Sequence, residues 1–225
     1  MKLDTVHLGD CLEWLKGLPD GCCDAILTDP PYNVGLKYDQ WHDAHDGYHE
    51  WCLEWFTECR RVAPLVAFTP GTPNLHMWLD IAEPDIIMAS VKPNGHGYSK
   101  VGFTWWEPIL VYGKPQGTRI PDTIIVSLVH QAECEPHPCP KPTALYRRLL
   151  EGLTKRGAVV GEPFAGSGSL LVACVETDRH FLACELSPTY HAICERRIAE
   201  ARARPRLPGL EPKPEQFSME TADVG

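Results

Sequence analysis

A glycine turn between a strand pattern and a helix pattern constrains the fold more than any other feature of this chain. The apolar residues 159–160 lead into the glycine-containing segment 161–168, and a helix pattern follows over residues 169–174. A second strand pattern, residues 181–184, ends at Glu185, about twenty residues beyond the glycines, where dinucleotide-binding folds place an acid on ribose hydroxyls. Glycines let the backbone approach a ligand closely, and the helix behind them offers unpaired N–H groups. This order predicts an α/β fold with a nucleoside site.

A second candidate site lies far upstream, where the apolar run Ala25–Thr28 ends. The four residues after it are Asp29, Pro30, Pro31 and Tyr32. Consecutive prolines fix the backbone and supply no N–H donors, so the Pro30 carbonyl has no local partner and can point outward. Asp29 and this carbonyl would each accept one N–H of an exocyclic aromatic amine, while Tyr32 stacks on the ring. The plain alternative is a proline-stiffened turn after a strand, and the downstream glycine segment argues against it.

Together the two segments resemble the amino-group DNA methyltransferases that use S-adenosylmethionine. The motif order is the circularly permuted, beta-class one, in which the catalytic motif precedes the cofactor glycines. The resemblance extends from Val6 to Ile198 and rests on three blocks. These are Gly9-Asp10-Cys11-Leu12 with residues 23–32, His137-Pro138-Cys139-Pro140-Lys141-Pro142, and Glu162-Pro163-Phe164-Ala165-Gly166-Ser167-Gly168. The chain departs from the family at Glu162, where Asp is usual, at Ser169-Leu170, where two threonines are common, and at Cys139-Pro140, where Thr-Gln is more usual.

The resemblance implies a fold, a cofactor and residue roles. The fold is the Rossmann-like class I methyltransferase, with a seven-stranded, mostly parallel sheet, one antiparallel edge and helices on both faces. The catalytic residues are Asp29, Pro30, Pro31 and Tyr32. The residues expected to bind S-adenosylmethionine are Asp10, Cys11, Lys141, Glu162, Phe164, Gly166, Ser167, Gly168 and Glu185. Within this set, Asp10 is expected at the adenine, Glu185 at the ribose and Lys141 near the methionine end.

The distribution of charge predicts which part of the chain meets DNA. Residues 1–90 carry five Lys/Arg and fifteen Asp/Glu, a net charge of -10, whereas residues 91–156 carry nine and five, a net charge of +4. Because phosphate contacts dominate nucleic-acid affinity, the basic middle is predicted to face the DNA backbone. A glycine-rich polar loop at residues 92–100, within a small target-recognition insertion at residues 91–120, is the predicted contact. Its candidate residues are Lys92, Asn94, Tyr98 and Lys100, together with Glu107 shortly beyond the loop. A solvated surface loop would show the same composition.

Composition and length agree with a cytoplasmic protein, and the family resemblance implies a bacterial or phage-encoded protein that is a monomer or homodimer. The sequence shows neither a membrane-span pattern nor a signal peptide. Its 225 residues suit one domain, residues 1–203, followed by a proline- and charge-rich tail, residues 204–225, that is predicted to be disordered. The ten cysteines include no Cys-x-x-Cys pair, which favours reduced thiols. Four residues lie close enough in sequence to be considered as zinc ligands: His130, Cys134, His137 and Cys139. Their spacing matches no common zinc finger, so no metal is predicted.

The predicted activity is methyl transfer from S-adenosylmethionine to the exocyclic N6 amine of adenine in DNA, after the base is flipped out of the duplex. A cytosine-N4 enzyme is the alternative, because both amines offer the same donors; Asp29, where the family's cytosine members more often carry Ser, favours adenine. A third hypothesis, from another class, is a catalytically idle nucleic-acid-binding homologue, and the intact Asp29 and Tyr32 argue against it. RNA in place of DNA is a variant of the first two hypotheses.

Overall fold

The structure, a computed structural model, describes residues 1–36, 39, 46–95, 97–99, 102–127 and 140–204. The strands within these residues are β1 (Thr5–Leu8), β2 (Ala25–Thr28), β3 (Val66–Phe68), β4 (Ile86–Val91), β5 (Gly97–Ser99), β6 (Gly102–Thr104), β7 (Trp106–Tyr112), β8 (Thr123–Ile125), β9 (Val159–Glu162) and β10 (His180–Glu185). The helices are α1 (Cys11–Lys16), α2 (Tyr48–Val62), α3 (Leu75–Ile81), α4 (Thr143–Leu153), α5 (Ser169–Glu176) and α6 (Pro188–Ala203), with a short 3₁₀ turn at Thr72–Asn74.

One sheet organises the described chain, in the order β1-β10-β9-β2-β3-β7-β4-β8. Neighbouring strands are parallel from β1 through β3, β7 is antiparallel to both β3 and β4, and β8 is parallel to β4. This arrangement confirms the predicted doubly wound, mostly parallel α/β sheet. Two details differ from the expectation. The sheet has eight strands because β8 extends it beyond β4. The antiparallel strand β7 lies between β3 and β4, and so inside the sheet and not at its edge.

The sheet separates two layers of helices, and β2 shows how the sequence produces this. Ala25 and Leu27 are buried in the core that contains side chains of α4, α5 and α6, whereas Ile26 is buried with those of α1, α2 and α3. Successive side chains of a strand point to opposite faces, so a strand covered on both sides is apolar throughout. Trp55 and Phe56 of α2 are buried in the second layer. No described helix is long and apolar enough to cross a bilayer.

The connection between β4 and β7 contains a small hairpin. Strand β5 pairs antiparallel with β6, so the predicted loop over residues 92–100 was wrong for residues 97–99. Two strands of only three residues that pair with each other leave no clear pattern in a polar, glycine-rich sequence, so composition alone predicts a loop. The Asp, His and Gly content of residues 38–47 predicts a mobile loop, which lies largely outside the described residues. Of the predicted tail, residues 204–225, all but Arg204 lies outside them.

Candidate active site

A pocket lies at the edge where the parallel strands end. Its lining comes from Gly9 to Cys11 after β1, from Asp29 and Pro31 after β2, from Pro163 to Ser167 after β9, and from Glu185 to Ser187 after β10, with Trp51, Pro140, Lys141 and Tyr146 among the others. Carboxyl ends of parallel strands meet at one edge of a sheet, which is where ligands of such folds bind. The two predicted sites, more than a hundred residues apart, therefore share one pocket.

Asp29 is anchored through one of its two carboxylate oxygens. Oδ1 accepts the Tyr32 hydroxyl at 2.6 Å, contacts Lys141 Nζ at 2.9 Å and accepts the hydroxyl of Thr69. Among the described residues, none of these contacts reaches Oδ2. A carboxylate can accept about four hydrogen bonds. Asp29 is therefore held in one orientation and still presents an acceptor oxygen.

Two more charged residues, Glu107 and Lys92, extend this network, and together the five residues form what we call the charged cluster: Asp29, Tyr32, Lys92, Glu107 and Lys141. The Tyr32 hydroxyl oxygen also lies 2.7 Å from Glu107 Oε1, so its single proton is shared between the two carboxylates, and Lys141 Nζ donates to Glu107 Oε1 at 3.1 Å. Lys92 Nζ contacts Glu107 Oε2 at 3.1 Å. Two carboxylates and two ammonium groups thus share the site, so its formal charges balance.

The electrostatics of the charged cluster follow from burial and pairing. Burial alone would raise the pKa of Glu107, but Lys141, Lys92 and the Tyr32 hydroxyl outweigh it and lower this pKa to about 2. Burial would likewise lower the pKa of Lys141, and the adjacent Asp29 and Glu107 raise it above its usual value instead. Burial, reinforced by the two carboxylates, raises the pKa of Tyr32 well above its usual value. Tyr32 is therefore a neutral hydroxyl donor, between ionised Glu107 and Lys141.

The position of Lys141 matters for the ring of Tyr32. Lys141 Nζ is 2.8 Å from the hydroxyl oxygen and 5.0 Å from the ring centroid. The ammonium therefore sits at the oxygen end of the ring and not over its face. The ring also packs closely on Gly71, where an added Cβ would lie 2.8 Å from Tyr32 Cδ2. One ring face is thus covered by the backbone at Gly71.

The glycine loop is held by backbone and side-chain bonds around Glu185. Gly166 N donates to Glu185 Oε2 at 2.6 Å, and Ser187 N donates to Glu185 Oε1 at 2.8 Å. Gly168 has a positive φ of 79°, and a Cβ there would lie 2.6 Å from Cys194 Sγ of α6, so no larger residue fits. From α6 the buried Arg197 donates to the Ser167 carbonyl at 2.6 Å. The loop is thus fixed before any ligand arrives.

Glu162 and Asp10 complete the pocket wall. Glu162 Oε1 accepts the Thr28 hydroxyl and the Phe164 N–H, and burial raises its pKa to about 8, so the carboxyl is mostly protonated at neutral pH. Asp10 caps α1 by accepting Leu12 N and Glu13 N, both through Oδ1. Phe164 packs against Trp51, with ring centroids 5.6 Å apart. Cys11 is buried beside Asp10, and burial raises the pKa of its thiol.

The predicted DNA-contacting residues do not all lie together in the structure. Lys92 and Glu107 belong to the charged cluster, whereas Asn94 is exposed. The side chain of Tyr98 and the whole of Lys100 lie outside what the structure describes, as do the zinc candidates His130, Cys134, His137 and Cys139. Within the described residues no group of three His, Cys, Asp or Glu is arranged to hold a metal.

Thr69 is a site residue that sequence reasoning missed. Its side chain is buried and its hydroxyl donates to Asp29 Oδ1. A usable signal was present, because Thr69-Pro70-Gly71 follows strand β3 as Asp29-Pro30-Pro31 follows β2. The repeated strand-end proline marks adjacent strands whose ends meet at the ligand edge.

Comparison with known proteins places the chain in a family. The DNA methylase model for N6 and N4 enzymes matches residues 23–86 and 83–196, which include both halves of the pocket. The chain belongs to this DNA methylase family. Membership confirms the resemblance drawn from the motifs, and with it a methyltransferase that uses S-adenosylmethionine and acts on DNA.

Individual relatives agree with this assignment. The DNA adenine methyltransferase YhdJ of Escherichia coli K12 is 27% identical over 241 aligned residues, covering 86% of this chain and 82% of YhdJ. The structure of M1.HpyAVI in complex with S-adenosylmethionine superposes with a TM-score of 0.67 at 21% identity, covering 86% of this chain and 98% of that one. The cytosine-N4-specific PvuII DNA methyltransferase also gives a TM-score of 0.67, at 17% identity, covering 88% and 90%. These two structures show that the fold is shared.

Proposed function

We propose that this DNA methylase transfers a methyl group to the N6 amine of adenine, working as a bacterial or phage-encoded enzyme in the cytoplasm. The observation that carries the proposal is the state of Asp29, whose Oδ1 is held by three groups while Oδ2 contacts none of the described residues. An acceptor fixed in this way at the edge of a nucleoside pocket suits an amine with two N–H donors.

The pocket residues fit the cofactor. Asp10 uses only Oδ1 for its helix cap among the described residues, so Oδ2 can accept the amine of the cofactor's adenine. Glu185 lies at the ribose in this assignment, since its carboxylate borders the pocket between two backbone donors. S-adenosylmethionine supplies, when bound, a methyl group that its sulfonium already makes electrophilic. The protein's task is therefore to improve and align the amine.

The amine becomes a better nucleophile when its N–H groups are held by acceptors. We assign one N–H to Asp29 Oδ2 and the other to the Pro30 carbonyl, which Pro31 cannot engage because proline has no N–H. Two such hydrogen bonds favour a pyramidal amine whose lone pair is withdrawn from the ring. The charge that develops on the amine is stabilised by the Asp29 carboxylate, and this oxygen takes the lost proton directly or through water.

Tyr32 contributes its ring face in this proposal. Lys141 stands at the oxygen end of the ring and Gly71 covers one face, so a flipped base stacks on the opposite face. Such stacking partly offsets the unpairing cost, which is roughly a few kcal/mol. Asp29, where the family's cytosine enzymes more often have Ser, supports adenine as the base.

Replacing Asp29 tests this function. In Asp29→Ala, turnover should fall at least about a hundredfold, comparable to the loss of one preorganised electrostatic contact, while affinity for the cofactor changes little. Asp20→Ala is the control, because Asp20 is a surface carboxylate whose side chain is 83% exposed. Product digested to nucleosides and examined by mass spectrometry should contain N6-methyladenine. N4-methylcytosine would refute the choice of base alone, whereas wild-type turnover in Asp29→Ala would refute the active site.

A further inference from the structure

Three exposed aromatic side chains lie within four consecutive residues, directly before Glu107 of the charged cluster. Phe103 is 60% exposed, Trp105 52% and Trp106 42%, and no other aromatic residue among the described ones ranks with the large exposed hydrophobic side chains. Single exposed apolar residues are ordinary, but several large ones so close in the chain suggest an interaction surface. Tryptophan is a particularly unfavourable residue to leave in water, since it has a large apolar ring.

Topology places these rings at the ligand edge of the sheet. Because β7 runs antiparallel to its neighbours, it begins where the parallel strands end, and Trp106 is its first residue. The next residue, Glu107, belongs to the charged cluster. The backbone N–H of Lys92, also in the cluster, donates to the Trp105 carbonyl at 2.6 Å. The aromatic surface therefore borders the site at which the target amine would bind.

We propose that Phe103, Trp105 and Trp106 stack on DNA bases that extrusion of the target nucleotide exposes in the duplex. The inference rests on the proposed function and adds a second contact to it, since Tyr32 receives the flipped base and the aromatic surface supports the stack that the base leaves. Every base has an apolar face, so aromatic stacking needs no particular sequence. Apolar side chains inserted at base steps are an established way of holding opened DNA.

Methylation of native and denatured DNA separates this role from catalysis. The variant Phe103→Ser/Trp105→Ser should methylate native, unmethylated bacterial genomic DNA at least about tenfold more slowly than wild type, the scale of one lost base stack. On the same DNA after heat denaturation, where no duplex must be opened, the loss should be less than about threefold. Ile87→Thr is the control, because Ile87 is 48% exposed on β4, nearer the opposite edge of the sheet. This control should resemble wild type on both substrates.

A second measurement needs no turnover. Binding of native DNA should shield tryptophan emission of the wild type from quenching by acrylamide, and most of this shielding should be absent in Trp105→Phe/Trp106→Phe, which keeps aromatic rings but loses the reporting indoles. Equal losses on native and denatured DNA, no loss on either, or unchanged quenching on DNA binding would each overturn the stacking role. If wild type methylates neither DNA form, the proposed function fails, and the quenching result alone decides the stacking role.

Discussion

Lys141→Met should destabilise the protein, because it leaves two carboxylates of the charged cluster without their shared cation. The Lys141 side chain is 13% exposed, Asp29 21% and Glu107 9%. The pKa of Glu107 falls from 4.5 to about 2 in the fold, a shift worth about 3 kcal/mol, and Lys141 is the largest of the groups that lower it. Removing one partner of a buried ion pair typically costs about 3 to 5 kcal/mol. We therefore expect the free energy of unfolding to fall by about 3 kcal/mol at neutral pH.

The pH dependence of this loss has a definite sign. Glu107 has a lowered pKa in the fold, so its contribution to stability is present above 4.5 and is lost as the pH falls towards 2. Lys141 has a raised pKa, so its contribution is present below 10.5 and is lost only as the pH rises above that value. The difference in unfolding free energy between wild type and Lys141→Met should thus have its full size at neutral pH and become smaller in acid. Urea unfolding at about pH 7.5 and about pH 4 measures it.

Lys16→Met is the matched control for this experiment. Lys16 Nζ lies 2.6 Å from Glu54 Oε1, closer than any contact of Lys141, but both side chains are about half exposed. Solvent and salt screen such a pair, so its loss should leave the unfolding midpoint almost unchanged. Equal unfolding free energies for the two variants, or a difference that grows in acid, would refute the account of the charged cluster.

Three further outcomes are expected. Glu185→Ala should weaken S-adenosylmethionine binding by about 1 to 3 kcal/mol in a folded protein, and unchanged affinity by calorimetry would remove the ribose assignment. Gly161→Ala should cost about 1 to 3 kcal/mol of stability, because its Cβ would lie 2.2 Å from Ile26 Cδ1. Ile26→Val deletes that atom, so adding it to Gly161→Ala should recover part of the loss. Strictly additive effects of the two substitutions in denaturant unfolding would contradict this clash. Purified protein should contain no stoichiometric zinc and keep its activity in chelator, whereas one zinc per chain by elemental analysis would support a site around Cys134 and Cys139.

The sequence predicted most of the sheet because its strands are covered on both faces. The apolar run Ala25–Thr28 is strand β2, the strand pattern at residues 181–184 lies within β10, and the helix pattern at residues 169–174 lies within α5, since a continuous apolar strand or a helical period is a local signal. The sequence pattern predicts a helix over residues 143–155, but α4 ends at Leu153, where Thr154 adopts an extended conformation. Helix ends depend on backbone geometry that apolar periodicity does not encode.

The charged cluster could be predicted only in part. Asp29 and Tyr32 were identified from their own motif, and Lys141 from the family's motif. In the fold, Lys141 Nζ lies 2.8 Å from the hydroxyl of Tyr32, 109 residues earlier in the chain, and also contacts Glu107. This arrangement depends on the packing of three separate elements. Thr69 had a local signal in the proline that follows it at a strand end, but its contact with Asp29 depends in the same way on β3 lying beside β2. Long-range contacts of this kind are decided by topology and not by local pattern.

The antiparallel course of β7 also has a consequence for how this enzyme can be re-engineered. Val91 and Trp106 are paired across β4 and β7, so the chain leaves the sheet and returns to it at positions about 5 Å apart. A segment with neighbouring ends can change in length without shifting the register of any strand. Residues 93–105 are therefore a natural cassette: hairpins taken from relatives can be joined at the same two points, with Lys92 and Glu107 retained. A library of such chimaeras would alter the surface beside the pocket while the methyl-transfer machinery stays constant.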